Sequence, residues 1–408
     1  MGYLSRRPGG AGRGFSGRGF VPEFWALIGA TFLGFLGIGT VLPQLGPHIR
    51  YDLGGSDQTV GLVIGTFSFV ALGARLFAGP LADRRGRKIA FLAGLLSCAL
   101  AGVAYFLPIG LAGPFLGRTF QGIGEACLYT GAATWAVEYA GLERGSQALG
   151  YVSSGIWGGI SAGPMVGQWL GTFSRAALLQ GILALVAFVI VTRVREEYRP
   201  MPHEEKAGGL LASLIAPGIA TGFVNIHYPV IAGFLVLHLA QHGNSGPAVF
   251  SMYALTMLLS RFFLGSLPDR FPPAVTYFGG LAGMAVGLII LAPGPRPAIA
   301  LVGGGILGFG FSFPWSSILA TVLRRIHPGK RGSAVGVLSA FYDLFVGMSS
   351  FSAGLLANRF GYAAAFLMAI AALGAAAIAG RFVFAGEKHP QANFAADTLD
   401  PLTVETQD

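Results

Sequence analysis

Long apolar runs, separated by short polar stretches, repeat along the whole 408-residue chain. Twelve of them are about 20 residues or longer, the length at which an α-helix crosses roughly 30 Å of hydrocarbon. They lie near 22–48, 58–81, 89–107, 111–139, 147–171, 175–193, 211–240, 247–267, 273–292, 297–323, 333–357 and 361–384. A transmembrane barrel would instead show shorter segments of alternating polarity. The pattern therefore predicts an all-α integral membrane protein with twelve transmembrane helices.

The composition supports a membrane protein. Hydrophobic residues make up 53% of the chain and charged residues only 11%, against about 25% charged residues in soluble domains. The two cysteines, Cys98 and Cys127, fall inside predicted spans and offer neither a disulfide framework nor a metal-binding pattern. We therefore expect no metal and no cofactor.

The distribution of basic residues predicts the orientation. If the N-terminus is cytoplasmic, the tails and the connections on that side carry twenty Arg and Lys residues, and the other side carries four. Positive charge is retained in the cytoplasm, so both termini are predicted to be cytoplasmic, in the cell (inner or plasma) membrane. Residues 1–20 and 386–408 would be cytoplasmic tails, the first one disordered. Its Gly- and Arg-rich sequence has an RNA-binding alternative, but we predict no nucleic-acid partner.

The two halves of the chain repeat each other at a fixed offset. The segment ARLFAGPLADRRGRK (74–88) and the segment SRFFLGSLPDRFPPA (260–274) share five identities 186 residues apart, and Pro43 and Pro229 share the same offset. The identical positions of the first segment are Arg75, Gly79, Leu81, Asp83 and Arg84. Transporters are often built from such repeats, with the substrate site between them. The repeat predicts two pseudo-symmetric six-helix bundles, 21–193 and 211–385, joined by a cytoplasmic linker at 194–210.

The motif GPLADRRGRK resembles the loop signature between the second and third helices of the major facilitator superfamily (MFS). The residues that carry the resemblance are Gly79, Leu81, Asp83, Arg84, Gly86, Arg87 and Lys88, and the second half keeps Gly265, Leu267, Asp269 and Arg270. The resemblance covers about residues 20–385. It implies two bundles that rock around a central cavity, lined mainly by helices one, four, seven and ten.

In this family the loop forms a charge relay with an acid at the inner end of helix four, where Glu138 lies. We interpret these residues as a conformational latch between the bundles; a static surface ion cluster is the alternative. The latch would comprise Gly79, Asp83, Arg84, Gly86, Arg87, Lys88, Glu138, Asp269 and Arg270.

Glycines recur along the fifth predicted span, GYVSSGIWGGISAGPMVGQWLG (150–171). Small residues four apart share a helix face and let helices pack closely in lipid, and Pro164 removes a backbone donor and should kink the helix. Gly150, Gly159, Gly163, Pro164 and Gly167 resemble the fifth-helix signature of drug:proton antiporters of this family. The alternative is a ridge that serves helix packing alone.

Two charges lie inside the fourth predicted span, in RTFQGIGEACLYTG (118–131). Arg118 and Glu125 are seven residues apart, so they lie within about 20° of one helix face, and each costs roughly 2.5–3.5 kcal/mol to insert. Burial favours a protonated carboxylate and a nearby guanidinium favours the ionised one, so an Arg that moved relative to Glu125 would load and unload a proton. Arg118, Gln121 and Gly122 also resemble a family signature linked to proton coupling. A static buried ion pair is the alternative.

Other polar residues lie at the depth of the expected cavity. Asp343, in the eleventh span, is interpreted as a second proton-coupling site or a substrate ligand, with an acid held by neighbouring Ser and backbone groups as the alternative. The candidate substrate-binding residues are Gln121, Tyr129, Asn225, His227, Tyr228, Trp315, Ser316 and Tyr342. A lone His such as His227 is more often packed than ligating.

Together these features predict a secondary transporter that resembles the drug or metabolite:proton antiporter branch and exports a small organic compound in exchange for protons, as a monomer. The main alternative is a facilitator or proton-symporting importer of a sugar or organic acid, and a transporter-like sensor is a more distant one. An enzyme would need a nucleophile–base set or metal ligands, and a channel would favour polar rings. The sequence offers neither.

Overall fold

The structure is a computed structural model of the chain. It describes residues 15–16, 19–140, 144–196, 210–264, 271–326 and 331–385, and the statements below concern these residues. Before the first helix, the two-residue strands β1 (Phe15–Ser16) and β2 (Gly19–Phe20) pair antiparallel. The rest of both predicted tails and most of the predicted linker lie outside the described residues.

The remaining described elements are helices. In the first half they are α1 (Pro22–Thr40), α2 (Leu42–Pro47), a π-helical turn (His48–Asp52), α3 (Asp57–Arg85), α4 (Arg87–Ala104), α5 (Ala112–Ala140), α6 (Gly145–Leu170) and α7 (Phe173–Thr192). In the second half they are α8 (Leu210–Asn225), α9 (His227–Gln241), α10 (Gly246–Leu264), α11 (Pro273–Leu291), α12 (Pro297–Phe311), α13 (Pro314–Arg325), α14 (Arg331–Phe360) and α15 (Tyr362–Phe384).

These helices form twelve membrane-crossing segments, as predicted. Three segments, 22–52, 210–241 and 297–325, are each built from consecutive helices. Ten of the twelve are long and apolar enough to cross a membrane on length and composition alone. The other two are α5 and α6, which carry the buried charges and the glycine series respectively.

Prolines account for the interrupted segments. The first segment breaks at Val41, two residues before Pro43, and the seventh breaks at Ile226, three residues before Pro229. Proline cannot donate a backbone hydrogen bond and clashes with the preceding turn. The two prolines are the pair related by the 186-residue offset, so the duplicated sequence produces the same break in both halves.

Close helix contacts obey the same offset. A Cβ on Gly122 of α5 would contact Phe67 and Ala71 of α3, and a Cβ on Gly308 of α12 would contact Tyr253 of α10, which is 186 residues after Phe67. Helix α3 packs on α5 as α10 packs on α12, and α1 packs on α6 as α8 packs on α14. The duplication is therefore a structural one, and the two bundles are pseudo-symmetric.

The two bundles meet along α3 with α14 and α6 with α10. At the face opposite the two ends of the described chain they are closed together. There the Tyr362 hydroxyl donates to Asp57 Oδ1 at 2.8 Å, and a Cβ on Gly61 would lie 2.9 Å from the Gly354 Cα atom. The other face carries the GPLADRRGRK motif, at the junction of α3 and α4, together with the start of α1 and the end of α15.

Candidate functional site

Three charged side chains meet where α3, α5 and α14 pack together. Arg75 Nη2 donates to both carboxylate oxygens of Glu125 at 2.9 Å, and Arg75 Nε donates to Asp343 Oδ2 at 2.7 Å. The Tyr129 ring lies beneath the guanidinium, 5.0 Å from its central carbon to the ring centroid. We call Arg75, Glu125 and Asp343 the charge triad.

The charge triad joins the two bundles. Arg75 and Glu125 belong to the N-terminal bundle, whereas Asp343 belongs to the C-terminal bundle and is 1% exposed. Two carboxylates share one guanidinium, so the fully ionised triad has a net charge of −1. In a low-dielectric interior an unbalanced charge is costly, so protonation of one carboxylate would make the triad neutral. The arrangement can therefore take up and release a proton.

The structure corrects the pair that helix spacing suggested. Among the described residues, Arg118 makes no ion pair with Glu125, although the two side chains are both buried on α5. Arg118 Nη1 instead donates to Gln121 Oε1 at 2.8 Å, Nη2 donates to the Ile64 carbonyl at 3.3 Å, and the guanidinium lies over the Phe67 ring. The reason is that spacing along one helix does not say which neighbouring helix faces the carboxylate.

Gln121 likewise belongs to the interior of the N-terminal bundle. Its Oε1 accepts from the Tyr105 hydroxyl at 2.9 Å, and its Nε2 donates to Gln180 Oε1 at 2.7 Å. Gln180 in turn donates to the Cys98 carbonyl. Arg118 and Gln121 thus form a hydrogen-bonded network that holds α4, α5 and α7 together, and a cavity role for Gln121 stays a prediction.

The sequence reasoning missed Arg75. Its position inside the second predicted span was visible, because Arg75 lies ten residues before the end of that helix and its copy Arg261 lies inside the eighth span. A cation retained inside a membrane span in both halves of a duplicated chain is itself a functional signal.

The candidate residues on the broken seventh segment face different surroundings. The Asn225 side chain donates to the carbonyl of Thr221 on its own helix. His227 is fully buried; Nδ1 lies 2.8 Å from the Val224 carbonyl and Nε2 lies 3.3 Å from the Tyr253 hydroxyl. Asn225 and His227 are therefore packed and hydrogen-bonded, and a substrate role for them stays a prediction.

A small cavity lies between the bundles, next to the broken seventh segment. It is lined by Leu42, Ile160, Pro164, Tyr228, Phe250, Tyr253, Ala254 and Met257. Of the predicted substrate-binding residues, Tyr228 is the one that lines this cavity. Trp315 and Ser316 are half-buried on α13, and Tyr342 is half-buried on α14 beside Asp343. A substrate role for these residues stays a prediction.

The loop motif forms a compact polar cluster inside the N-terminal bundle. Gly86 is the single residue between α3 and α4 and has a φ of 110°, a conformation that favours glycine. The Arg87 side chain forms an ion pair with Glu138 of α5, and its backbone N–H donates to Glu196 at 2.6 Å. Lys88 donates to the carbonyl of Thr192, the last residue of α7, and to that of Val194. The two residues of the expected relay, Arg87 and Glu138, therefore form an ion pair, and their role as a relay stays a prediction.

Whether the motif latches the two bundles together stays a prediction. The Arg87–Glu138 pair joins α4 and α5, which belong to the same bundle. Gly79 has no protein atom within 4 Å of where a Cβ would lie, and Asp83 and Arg84 are exposed. The second copy of the motif, with Asp269 and Arg270, lies outside the described residues.

The glycine series of α6 packs against α1. A Cβ on Gly159 would lie 2.7 Å from the Leu36 N atom, and one on Gly163 would lie 2.5 Å from the Gly39 Cα atom. Gly167 makes an equally close approach to Thr40, whereas Gly150 has open space. Pro164 lies inside the continuous helix α6. The series therefore allows backbone contact between two helices of one bundle, starting after Gly150.

The fold and the site together define a class of protein. Twelve membrane-crossing segments form two pseudo-symmetric bundles that meet at a buried, ionisable triad, which is the architecture of an alternating-access transporter. The sequence profile of the Major Facilitator Superfamily matches residues 27–243 and 215–405. The chain belongs to this family; it is a multi-pass membrane transporter and not an enzyme.

Comparisons with individual proteins agree. The chain is 30% identical over 369 residues to an MFS-type transporter of Salmonella typhimurium, which covers 86% of this chain and 94% of the relative. Among solved structures, it is similar to the nucleoside transporter NupG, with a TM-score of 0.72, 14% identity and coverage of 89% of this chain and 100% of that one. It is also similar to the fucose:proton symporter FucP of E. coli, with a TM-score of 0.62, 15% identity and coverage of 89% and 98%. At these identities the two structures show the fold.

Proposed function

We propose that the protein is a proton-coupled secondary transporter and that Glu125 and Asp343 carry the coupled proton. The observation that supports this is the charge triad, in which two acids share Arg75 across the line where the bundles meet. The single positive charge of Arg75 can neutralise only one of the two carboxylates. Burying the second negative charge without a partner is strongly unfavourable. A proton removes the imbalance.

The same geometry couples the proton to movement of the bundles. When Asp343 is ionised, the Arg75 bridge holds α3 to α14; when Asp343 is protonated, the guanidinium can be satisfied by Glu125 within its own bundle. Proton binding therefore changes the strength of a contact between two rigid bodies, and a two-state equilibrium responds to that difference.

The direction we propose is export of a small organic compound in exchange for protons, with both termini in the cytoplasm of the cell membrane. Support for exchange comes from the glycine series of α6, which resembles the antiporter signature and makes the close contacts with α1 that such a series would serve. Proton symport is the alternative, since one solved protein of the same fold is named as a fucose:proton symporter. Both bundles lie in one chain, so a monomer suffices.

Purified protein in liposomes tests the proposal. A pH gradient is imposed, a panel of drugs, sugars and metabolites is screened for movement against its own gradient, and proton flux is followed with an internal pH dye. Exchange predicts that substrate and protons move in opposite directions, and symport that they move together. Glu125→Gln should abolish gradient-driven accumulation, whereas Glu23→Gln, which changes an exposed acid at the start of α1 in the same way, should not. Full coupling in the Glu125→Gln variant would overturn the assignment.

A further inference from the structure

The C-terminal bundle contains a second copy of the Arg75 site with different chemistry. Arg261 occupies the position 186 residues after Arg75, on α10 as Arg75 is on α3. The equivalence is structural, because the same close contacts occur in both halves. Gly124 approaches Gly94 and Cys98 in the first half, and the residues 186 positions later, Gly310, Gly280 and Met284, make the same approach in the second half. The surroundings of the two arginines can therefore be compared position by position.

Aromatic rings replace both carboxylates of the first site. The residue equivalent to Glu125 is Phe311, and the residue equivalent to Asp343 is Trp157. In the structure the guanidinium carbon of Arg261 lies 4.1 Å from the Trp157 ring centroid and 5.7 Å from the Phe311 ring centroid. The same two neighbours thus surround each arginine, as acids in one half and as rings in the other.

Arg261 consequently has hydrogen-bond donors without acceptors. Its Nε and Nη2 atoms are buried and have no partner, and no described acid lies within ion-pair distance. A ring stacked on a guanidinium stabilises its charge. The ring lies above or below the guanidinium plane, however, and the N–H groups point outward within that plane, so the ring accepts none of their hydrogen bonds. Buried donors of this kind are expensive to leave unpaired, and more so when they are charged.

The interior as a whole carries one positive charge too many. In the middle of the described spans lie three arginines, Arg75, Arg118 and Arg261, and two acids, Glu125 and Asp343. Neither Arg118 nor Arg261 has an acid partner among the described residues. Arg118 donates from two nitrogens within its own bundle and leaves Nε unpaired, whereas Arg261 leaves both Nε and Nη2 unpaired, so Arg261 is the less satisfied of the two cations. A protein that lacked a use for this charge would gain by losing it, because membrane-buried cations are unfavourable unless they are paired.

We infer that Arg261 binds the anionic group of the transported compound, and that the substrate is a small organic anion, a carboxylate with a flat apolar body. The planar fork of the guanidinium matches a carboxylate with two parallel hydrogen bonds. The Trp157 and Phe311 rings supply flat apolar surface beside it. Met257, one helical turn away, borders the small cavity between the bundles. The inference rests on the proposed transport function only in taking this cavity as the substrate path.

Ligand-dependent thermal stability of the detergent-solubilised protein tests the inference without any transport assay. The probes are two matched sets of three compounds of similar shape and different charge: benzoate, benzamide and benzylamine, and the corresponding naphthalene compounds. We expect the carboxylates to raise Tm and to quench Trp fluorescence, and the amides and amines to have little effect. Equal effects of carboxylate and amide in both series would overturn the inference.

Three variants locate the effect. Arg261→Gln removes the charge and should weaken carboxylate binding by about 30-fold or more, the usual effect of removing one partner of a buried charge pair. Phe311→Glu restores the acid of the first site, so an internal ion pair should form, the unliganded protein should stay folded and carboxylate binding should be lost. Phe311→Leu, which removes the ring without adding charge, should keep the preference for carboxylates. Retained preference in either charge-altering variant would overturn the inference.

The result can be separated from failure of the proposed proton coupling. Glu125→Gln should lose gradient-driven transport and keep its preference for carboxylates over amides, because Arg261 is intact. If Glu125→Gln transports normally while Arg261→Gln loses carboxylate binding, the coupling proposal is wrong and the anion site stands. If the opposite pattern is found, the coupling proposal stands and the anion site is wrong.

Discussion

Replacing Asp343 by Asn tests whether the charge triad stabilises this conformation through the contact it makes between the two bundles or through its net charge. Asp343 and Glu125 bond to the same guanidinium at similar distances, 2.7 and 2.9 Å. Only the Asp343 contact crosses from one bundle to the other, because Glu125 lies on α5 beside α3 in the bundle of Arg75. Asp343→Asn and Glu125→Gln are therefore matched: each converts one carboxylate of the triad into an amide, and one of them weakens the joint between the bundles.

The size of the effect follows from the bond that is lost. A hydrogen bond to a charged group contributes about 1.5–3 kcal/mol and a neutral one about 0.5–1.5 kcal/mol. An Asn can still accept from Arg75 Nε, so Asp343→Asn should remove ~1–1.5 kcal/mol from the conformation described here, on that same difference. Since about 1.4 kcal/mol is a tenfold change in an equilibrium constant, the population ratio should shift roughly 5- to 13-fold away from this conformation.

Distances between spin labels report the shift. Tyr51 and Phe360 are exposed on the closed face, one in each bundle, with 62% and 71% of their surface accessible. Nitroxides attached to cysteines at these positions should show a longer-distance population in Asp343→Asn, at a pH where the wild-type triad is ionised. The native Cys98 and Cys127 are buried and can be replaced by Ser in all samples.

Two results would refute the reasoning. An unchanged distance distribution in Asp343→Asn would mean that the Arg75 bridge does not hold the bundles in this conformation. An equal change in Glu125→Gln would mean that the distribution follows the charge of the triad rather than the contact between bundles.

Three further predictions concern packing and polar contacts. Gly163→Ala should destabilise the protein by about 1–3 kcal/mol through overpacking against α1, whereas Gly150→Ala, which has open space, should not lower Tm. Tyr362→Phe removes the hydroxyl that donates to the Asp57 carboxylate, about 1.5–3 kcal/mol, so chemical labelling at the closed face should become faster; unchanged labelling would show that this bond does not help to close the face. Arg118→Lys should lower Tm but leave the pH optimum of transport per folded molecule unchanged, because Arg118 forms no ion pair with a carboxylate of the described residues; a shifted optimum would revive its role in coupling.

The fold could be predicted because its determinants are local and repeated. Membrane helices must satisfy their own backbone hydrogen bonds and cover about 30 Å of hydrocarbon, so length and apolar composition predict ten of the twelve segments. The other two, α5 and α6, are apolar runs that also carry the buried charges and the glycine series. The offset of 186 residues predicts two equivalent halves, and the paired prolines Pro43 and Pro229 even mark the same break in each. Information of this kind lies within single segments of the sequence.

The charge triad could be predicted only in part. Burial of Glu125 and Asp343 follows from their positions in apolar spans, but their shared partner depends on how α3 rotates against α5 and α14. Helix periodicity predicts which residues share a face of one helix. It does not predict which neighbouring helix packs against that face or which of its side chains make the contact. Arg118 was therefore paired with the wrong residue, since it was the nearest cation on the same helix and Arg75 was nearest in space.

The sign of the proton effect on anion binding decides between exchange and symport. A carboxylate held by Arg261 adds negative charge to the same low-dielectric interior that holds Asp343, and by itself this would favour a proton on Asp343, as symport requires. Exchange requires the opposite: protonation must favour a conformation in which the anion site is weaker. Since linkage is reciprocal, acidification should then lower the affinity for the anion.

We propose exchange, so the benzoate affinity should fall as the pH is lowered through the neutral range, where benzoate itself stays ionised. Arg261→Lys, which keeps the charge, should show the same trend at lower affinity, and Asp343→Asn should remove the trend. An affinity that rises on acidification would establish that the proton and the anion bind together, and the direction of transport proposed here would be reversed.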